Sequence, residues 1–324
     1  MIPDYKLQFN WQDKNSLEHK PTRDGYGDGL EELGHQIPEV VALSADLTES
    51  TRTNLFAETF PDRFFQTGIA EQNMMGIAAG LAINGKIPFA ASYSVFSPGR
   101  NWDQLRVSVC YSKANVKVVS THAGLTVGPD GATHQALEDI AITRVLPNLT
   151  VVVPSDYHEA RKATHQIARM DGPVYMRLGR SKTPIYTSDE TYFELGKANV
   201  LYEGTDVTVV ACGIMVYEAL IAAHELASKG ISVEVINCHT IKPIDAETIV
   251  SSAHKTGAVV TAEEHQIIGG LGGAVAEVLA EYNPVPMKRV GVKDTFGESG
   301  TPDELLRKYG VTKSDIVNAI TSLI

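Results

Sequence analysis

The chain has 324 residues, of which 43% are apolar and 21% are charged, and its formal net charge is −11. This length predicts roughly two globular domains, and the acidic balance argues against a nucleic-acid-binding surface. No run of about 18 apolar residues is present that would predict a membrane span. Three scattered cysteines without CxxC or metal-binding spacing, and a polar N-terminus unlike a signal peptide, favour a cytoplasmic protein.

In the first half of the chain, short apolar strands alternate with helices. The predicted strands are 39–46, 88–93, 116–121, 149–153 and 174–178, and the predicted helices are 26–35, 68–84, 101–112 and 157–169. This alternation is typical of βαβ units in a mostly parallel sheet. Residues 1–22 are expected to form an irregular arm.

The same alternation returns after residues 180–197, which are rich in Ser, Thr, Pro and Asp and are interpreted as a linker. The predicted strands here are 207–212, 232–236, 258–262 and 288–292, and the predicted helices are 216–229, 245–253 and 273–282, followed by two short helices. We therefore predict an α/β fold of two three-layer domains with parallel sheets, residues 1–188 and 189–324.

The predicted helix 68–84 is almost wholly apolar and rich in small residues, but it carries Glu71 in its first turn. A helix that is apolar all round is predicted to be buried. A buried carboxylate is costly unless it is hydrogen-bonded. Glu71 therefore either stabilises the helix N-terminus or belongs to a functional site.

Polar side chains follow several of the predicted strands, where parallel sheets bind their ligands. In the first half these residues are Asp46, Ser50, Glu71, His122, Asp130, His134 and Arg180. The comparable turns of the second half are predicted to carry Gly213, His239, Glu263, Glu264 and His265. The first group suits an anionic, hydroxylated substrate and proton transfer. It lacks a set of ligands with metal-binding spacing, so no metal is expected on this chain.

Two glycine motifs are interpreted as structural. Gly27-Asp28-Gly29 matches part of the motif that binds magnesium and a diphosphate, but polar residues precede it instead of a buried strand, so Asp28 is assigned to the first turn of a helix. Residues 269–273 do not fit GxGxxG and predict a tight passage from a strand to a helix.

Six stretches in this order resemble the C-terminal half of transketolase, from about Arg23 to the end of the chain. They are Ser44-Ala-Asp-Leu47, Gly68-Ile-Ala-Glu-Gln72, Thr121-His-Ala-Gly124, Gly128-Pro-Asp-Gly-Ala-Thr-His-Gln135, Leu149-Thr-Val-Val-Val-Pro-Ser-Asp156 and Arg177-Leu-Gly-Arg180. The resemblance implies a pyrimidine-binding domain followed by a transketolase C-terminal domain. It also implies that a separate N-terminal subunit binds the cofactor diphosphate.

The resemblance further implies where thiamine diphosphate would lie. Glu71 is expected to contact N1′ of its aminopyrimidine and to promote removal of the C2 proton. Phe96 is expected to stack on the pyrimidine ring, with Tyr93 as the alternative, and Asp46 and Leu47 would line the pyrimidine end of the cofactor.

The substrate contacts that the resemblance implies come from the loops after the strands. His134 and Asp130 are expected to bind the hydroxyls of the transferred unit, and with Glu71 and His122 they form the predicted catalytic set. The expected ligands of the substrate phosphate are Arg23, Ser50, His122 and Arg180.

The implied reaction is transfer of a two-carbon ketol unit from a ketose phosphate to an aldose phosphate, as in the pentose phosphate pathway. Magnesium or calcium would be bound mainly by the N-terminal subunit, and a homodimer of this chain would form part of an α2β2 heterotetramer. Three alternatives are kept: 1-deoxyxylulose-5-phosphate synthase, which usually has arginine where His122 stands, the beta chain of 2-oxo acid dehydrogenases, and a non-catalytic partner-binding subunit.

Overall fold

A computed structural model describes residues 7–324, so residues 1–6 of the predicted arm lie outside the described residues. The strands are β1 (His19–Lys20), β2 (Val40–Ser44), β3 (Phe64–Gln66), β4 (Ile87–Tyr93), β5 (Lys117–Thr121), β6 (Thr150–Val152), β7 (Val174–Arg177), β8 (Thr183–Pro184), β9 (Asn199–Tyr202), β10 (Val207–Ala211), β11 (Val233–Asn237), β12 (Thr240–Lys242), β13 (Val259–Gln266) and β14 (Met287–Val292).

The helices are α1 (Thr22–Gln36), α2 (Asn54–Thr59), α3 (Glu71–Ile83), α4 (Trp102–Gln104), α5 (Asp139–Arg144), α6 (Tyr157–Arg169), α7 (Met215–Ala227), α8 (Ala246–Thr256), α9 (Leu271–Tyr282), α10 (Pro302–Tyr309) and α11 (Lys313–Thr321). Helix α4 continues into a π-helical segment, Leu105–Tyr111, and a 3-10 segment spans Leu125–Asp130. Within residues 7–324, no helix combines the length and the apolar character needed to cross a bilayer.

The first sheet has seven strands in the order β12-β6-β7-β5-β4-β2-β3. Its pairs are parallel except for β12, which runs antiparallel to β6. Every residue of β2 and β5 is buried, as expected for a parallel sheet with helices on both faces. Helices α1 and α6 cover one face, and α3 with the π-helical segment covers the other.

The second sheet has five strands in the order β14-β13-β10-β11-β9, all parallel except the edge strand β9. Helices α7 and α11 pack on one face, and α8 and α9 pack on the other. The prediction of two α/β units with parallel-dominated sheets is therefore confirmed. Strand β12 comes from the second half of the chain but completes the first sheet, so the units also share backbone hydrogen bonds.

Helix α3 differs from its prediction. It buries Met74, Met75, Ala78 and Ala79 against the first sheet, but its outer face is open. The side chains of Ile69, Ile77 and Ile83 are 74%, 37% and 72% exposed, and a Cβ added at Gly76 or Gly80 would meet no atom within 4 Å. The expectation that the helix is buried on all sides is wrong within this chain, because α3 packs against the first sheet with one side and exposes the opposite side.

The two glycine motifs are structural features. Gly27-Asp28-Gly29 lies inside α1, as a helix was predicted there, but Asp28 is beyond the first turn. Its carboxylate accepts a hydrogen bond from the hydroxyl of Tyr157 (2.5 Å), so the assignment to the first turn is wrong. The segment 269–273 does connect β13 to α9. There the carboxylate of Glu263 accepts hydrogen bonds from the N–H groups of Leu271 and Gly272, at the place where a helix N-terminus would bind a phosphate.

Candidate active site

Glu71 begins α3 and is only 3% exposed. Its Oε1 accepts a hydrogen bond from the hydroxyl of Ser92 (3.3 Å), and its Oε2 accepts one from Nη1 of Arg100 (3.1 Å). The side-chain amide of Asn101 donates to the main-chain oxygen of Glu71 (3.3 Å). The hydrogen bonds from Ser92 and Arg100 offset the cost of burying the carboxylate. Glu71 also lines an open cleft whose other lining residues are Ile69, Ala70, Gln72, Asn73 and Arg100.

A row of rings lies beside this carboxylate. The guanidinium carbon of Arg100 is 3.9 Å from the ring centroid of Phe96, and the rings of Phe96 and Tyr93 are nearly parallel with centroids 5.8 Å apart. Tyr93 stacks in turn on His122, with centroids 3.7 Å apart. Phe96 is thus next to the Arg100–Glu71 pair, whereas Tyr93 packs on the imidazole. Phe96 is therefore linked to Glu71 through Arg100.

His122 follows β5 with a φ of 58°, a backbone conformation that is uncommon for residues other than glycine. Its Nε2 lies 3.2 Å from Nη1 of Arg23, and its Nδ1 lies 2.9 Å from the hydroxyl of Thr121. Because a guanidinium can only donate, Nε2 accepts, and in the neutral ring Nδ1 carries the proton and donates to Thr121. Burial and the charges of Arg23 and Arg180 lower the pKa of His122 to about 3, so the ring is neutral at pH 7.

Three guanidinium groups, here called the arginine cluster (Arg23, Arg52 and Arg180), lie around this neutral imidazole. Arg23 donates to the main-chain oxygen of Ser50 (2.9 Å), and its Nε is buried without a hydrogen-bond partner among the described residues. Burial, and next the charge of Arg52, lower the pKa of Arg23. The cluster therefore concentrates positive charge, which Asp24 partly offsets by accepting a hydrogen bond from Nε of Arg52 (2.6 Å).

The loop of residues 122–135, here called the glycine-rich loop, passes beside the rings. The edge of His134 faces Phe96, with centroids 5.4 Å apart, and its Nδ1 lies 2.9 Å from the hydroxyl of Thr133. Asp130 ends the 3-10 segment and is exposed. Among the described residues it makes no hydrogen bond to His134 or to the arginine cluster. The fold thus brings His134 into contact with Phe96, whereas Asp130 is exposed.

Asp46 and Leu47 lie after β2, at the same edge of the sheet as Glu71. The N–H of Asp46 donates to Oε1 of Gln66 (2.8 Å), which also accepts from the N–H of Gly68 (3.3 Å). Gln66 therefore links the turn at Asp46 to the loop that leads into α3. The N–H of Leu47 is held by the hydroxyl of Ser44 (3.2 Å).

Several residues of the site were missed by the sequence analysis. Arg100 and Ser92 bind the Glu71 carboxylate, and Arg52 belongs to the arginine cluster. The expectation that Glu263, Glu264 and His265 lie in a turn is wrong, because all three are buried within β13. In residues 7–324 there is no group of three or more His, Cys, Asp or Glu side chains that could hold a metal ion.

Known protein families match both halves of the chain. The model for the "Transketolase, pyrimidine binding domain" matches residues 18–185, and the model for the "Transketolase, C-terminal domain" matches residues 196–316.

Similar proteins are found among split transketolases. A putative transketolase C-terminal section of Methanocaldococcus jannaschii is 50% identical over 311 residues, covering 95% of this chain and 97% of the relative. A 6-deoxy-6-sulfo-D-fructose transketolase subunit, SqwH, of a Clostridium species is 49% identical over 303 residues, covering 94% of each. A solved structure described as a split gene transketolase, inactive beta4 tetramer, is 53% identical, with a TM-score of 0.88 and coverage of 94% of this chain and 98% of that one.

Proposed function

The chain belongs to the transketolase family and corresponds to the C-terminal section of its split members; on that premise, we propose that it is the pyrimidine-binding subunit of a thiamine diphosphate-dependent transketolase. In this proposal the enzyme transfers a two-carbon ketol unit from a ketose phosphate to an aldose phosphate. The observation that carries the proposal is the buried, hydrogen-bonded carboxylate of Glu71 at the open cleft, with Phe96 close by.

The residues in and near this cleft fit the pyrimidine end of the cofactor. An aminopyrimidine needs an acid at N1′ and an aromatic face, and Glu71 and Phe96 can supply them. When bound, thiamine diphosphate supplies the carbon nucleophile that accepts the ketol unit. Glu71 would hold the proton shared with N1′, while Ser92 and Arg100 orient its carboxylate. Asp46 and Leu47 would close the cleft from the turn after β2.

The arginine cluster would bind the anionic end of the sugar. Arg23 and Arg180 offer guanidinium donors, and the neutral His122 accepts a hydrogen bond from Arg23 at Nε2, so it would orient that guanidinium without adding charge. Asp130 and His134 would contact the hydroxyls of the transferred unit from the glycine-rich loop. One relative is named for a sulfonated fructose, and a sulfonate would suit the same donors, so the test below includes both anions.

The open face of α3 together with Ile69 just before it, here called the α3 outer face (Ile69, Gly76, Ile77, Gly80 and Ile83), supports the proposal of a partner subunit. Its exposed apolar side chains lie along the helix that begins at Glu71 and immediately before it. In the proposal an N-terminal transketolase subunit binds here and supplies the diphosphate and magnesium or calcium sites, and two copies of this chain take part in an α2β2 assembly.

The proposal is tested by mixing this chain with an N-terminal transketolase section in the presence of thiamine diphosphate and magnesium. Ketol transfer from a panel of phosphorylated, sulfonated and uncharged ketoses to an aldose phosphate is then measured. We expect turnover that requires both chains and the cofactor and that prefers an anionic ketose. Full activity of this chain alone, or no activity of any mixture that assembles, would contradict the proposal.

A further inference from the structure

Glu264 lies in β13 of the second unit, yet its carboxylate reaches the glycine-rich loop of the first. The side chain is buried, and Oε1 accepts a hydrogen bond from the N–H of Thr126 (2.5 Å). Oε2 accepts a second bond from the hydroxyl of Thr126 (3.3 Å). One residue of the loop is thus held through both its main chain and its side chain.

Gly124 provides the space for this carboxylate. A Cβ at Gly124 would lie between 2.3 and 2.6 Å from three atoms of the Glu264 side chain, and the φ of 83° also favours glycine there. The main-chain oxygen of Glu264 is fixed as well, since it accepts a hydrogen bond from Nη2 of Arg177 (2.9 Å). Glu264 therefore connects β7, β13 and the loop.

The same loop is tied to the second unit at its other end. Nε2 of Gln135 donates to the main-chain oxygens of Gly128 (3.3 Å) and of Glu298 (3.0 Å), and Glu298 lies in the segment before α10. A Cβ at Gly131 would lie 2.6 Å from the hydroxyl of Ser299. The loop thus takes its shape from contacts on both sides.

Thr126 and its neighbour also contact residues of the arginine cluster and its surroundings. The main-chain oxygen of Thr126 accepts from the hydroxyl of Ser181 (2.6 Å), and the main-chain oxygen of Val127 accepts from Nη1 of Arg180 (2.6 Å). A shift of Thr126 would therefore move the acceptor that orients Arg180. It would also move the segment that ends at Asp130.

We infer that Glu264 is a positioning residue: through Thr126 it sets the conformation of the loop that carries Asp130 and His134, and it thereby fixes Arg180. The second unit then contributes to substrate binding without placing a side chain against the substrate. This inference rests on the proposed function for its effect on catalysis, but its effect on the loop is independent of it.

The structure offers a matched control in Glu263. It is the preceding residue of the same strand and is equally buried, but its carboxylate binds the N-terminus of α9 and not the loop. Glu264→Ala and Glu263→Ala therefore remove similar groups with different partners. Glu264→Gln retains an acceptor oxygen for the N–H of Thr126.

The first measurement is amide hydrogen exchange of the peptide covering residues 124–131 in the folded chain. We expect Glu264→Ala to speed exchange of this peptide about tenfold, because the N–H of Thr126 loses its acceptor, and Glu264→Gln to stay within about threefold of the parent. Glu263→Ala should instead speed exchange at the start of α9. Parent-like exchange in Glu264→Ala would overturn the inference, whatever the activity.

The second measurement uses the assembled enzyme. We expect Glu264→Ala to raise KM for the anionic ketose about tenfold or more, with exchange of the cofactor C2 proton unchanged, because Glu71 is untouched. Glu263→Ala should leave this KM within about twofold. If Glu264→Ala and Glu263→Ala raised KM equally, Glu264 would have only a general structural role, and the inference would be overturned. A parent assembly without ketol transfer would refute the proposed function but leave the loop result standing.

Discussion

Nη1 of Arg100 lies 3.1 Å from Oε2 of Glu71 and 3.3 Å from its Oε1, although 29 residues separate the two side chains. The same guanidinium covers the ring of Phe96. One arginine thus touches both groups that the proposal assigns to the pyrimidine. This contact links the orientation of the acid to the position of the ring.

Replacing Arg100 tests that link. Arg100→Met keeps an extended apolar side chain but removes the donors to Glu71, so the carboxylate loses its fixed orientation. About half of the Arg100 side chain is exposed, which weakens the ion pair. We expect a roughly tenfold slower exchange of the cofactor C2 proton in the assembled enzyme. Arg100→Lys should fall between parent and Met, because it retains the charge without the planar fork. Unchanged exchange in both variants would exclude an orienting role.

Glu71→Gln should abolish exchange of the cofactor C2 proton while leaving the fold intact. The amide fills the same space but cannot hold the acidic proton. We expect a loss of at least about a hundredfold, as for removal of an essential acid–base group. Glu281→Gln, at an exposed position of α9, is the control and should behave like the parent. Exchange in Glu71→Gln at the rate of Glu281→Gln would contradict the role given to Glu71.

Arg180→Ala should weaken binding of anionic ketoses far more than of uncharged ones. Losing a charge-assisted hydrogen bond costs about 1.5–3 kcal/mol, which is roughly 10- to 150-fold in kcat/KM. Arg169→Ala, at an exposed end of α6, controls for the loss of one positive charge. Steady-state kinetics with matched phosphorylated and unphosphorylated ketoses give the comparison. Equal losses with both substrates would mean that Arg180 does not bind the anion.

The low pKa of His122 predicts how stability depends on pH. The folded imidazole has a pKa of about 3 against an ordinary value of 6.5, so between these values the unfolded chain binds a proton that the folded chain does not. The contribution of His122 to stability is therefore complete above pH 6.5 and is lost as the pH falls. Relative to His122→Asn, the free energy of unfolding of the parent should fall by up to about 1.4 kcal/mol for each pH unit as the pH is lowered from 6 to 4.5.

Urea unfolding of parent and His122→Asn at several pH values measures this difference. Other groups that titrate in this range, such as the buried His239 and His265, are present in both proteins and cancel in the comparison. A stability difference that stays constant with pH would show that His122 is not held neutral.

The α3 outer face predicts a defect in assembly. Ile77→Asp places a charge between Gly76 and Gly80, so we expect a folded chain whose affinity for an N-terminal section falls at least about tenfold. Ile268→Asp is the control, since Ile268 is 63% exposed and lies between β13 and α9 of the second unit. Sedimentation of each variant with and without the N-terminal section measures the effect. Parent-like assembly of Ile77→Asp would exclude this face as the interface.

The sequence alone predicted the longer elements of both units, among them the strands β2, β4, β5, β6, β7, β10, β11, β13 and β14, because hydrophobic periodicity is a local property that a short window of residues records. It also pointed to Glu71, His122 and Arg180, because residues that follow parallel strands meet at one edge of the sheet. The short strands β1, β3, β8, β9 and β12 and the short helices α2 and α5 were not predicted, since so few residues carry too little periodic pattern to indicate an element or its partner.

What only the tertiary structure decided is how distant side chains pair. No periodicity connects Arg100 to Glu71, or Glu264 to Thr126 across 138 positions. The composition of α3 likewise predicted burial, and only the layer arrangement showed which of its faces is covered. Composition and spacing determine which residues can be buried or charged, whereas their partners depend on how the layers pack, and that packing sets the geometry of the site.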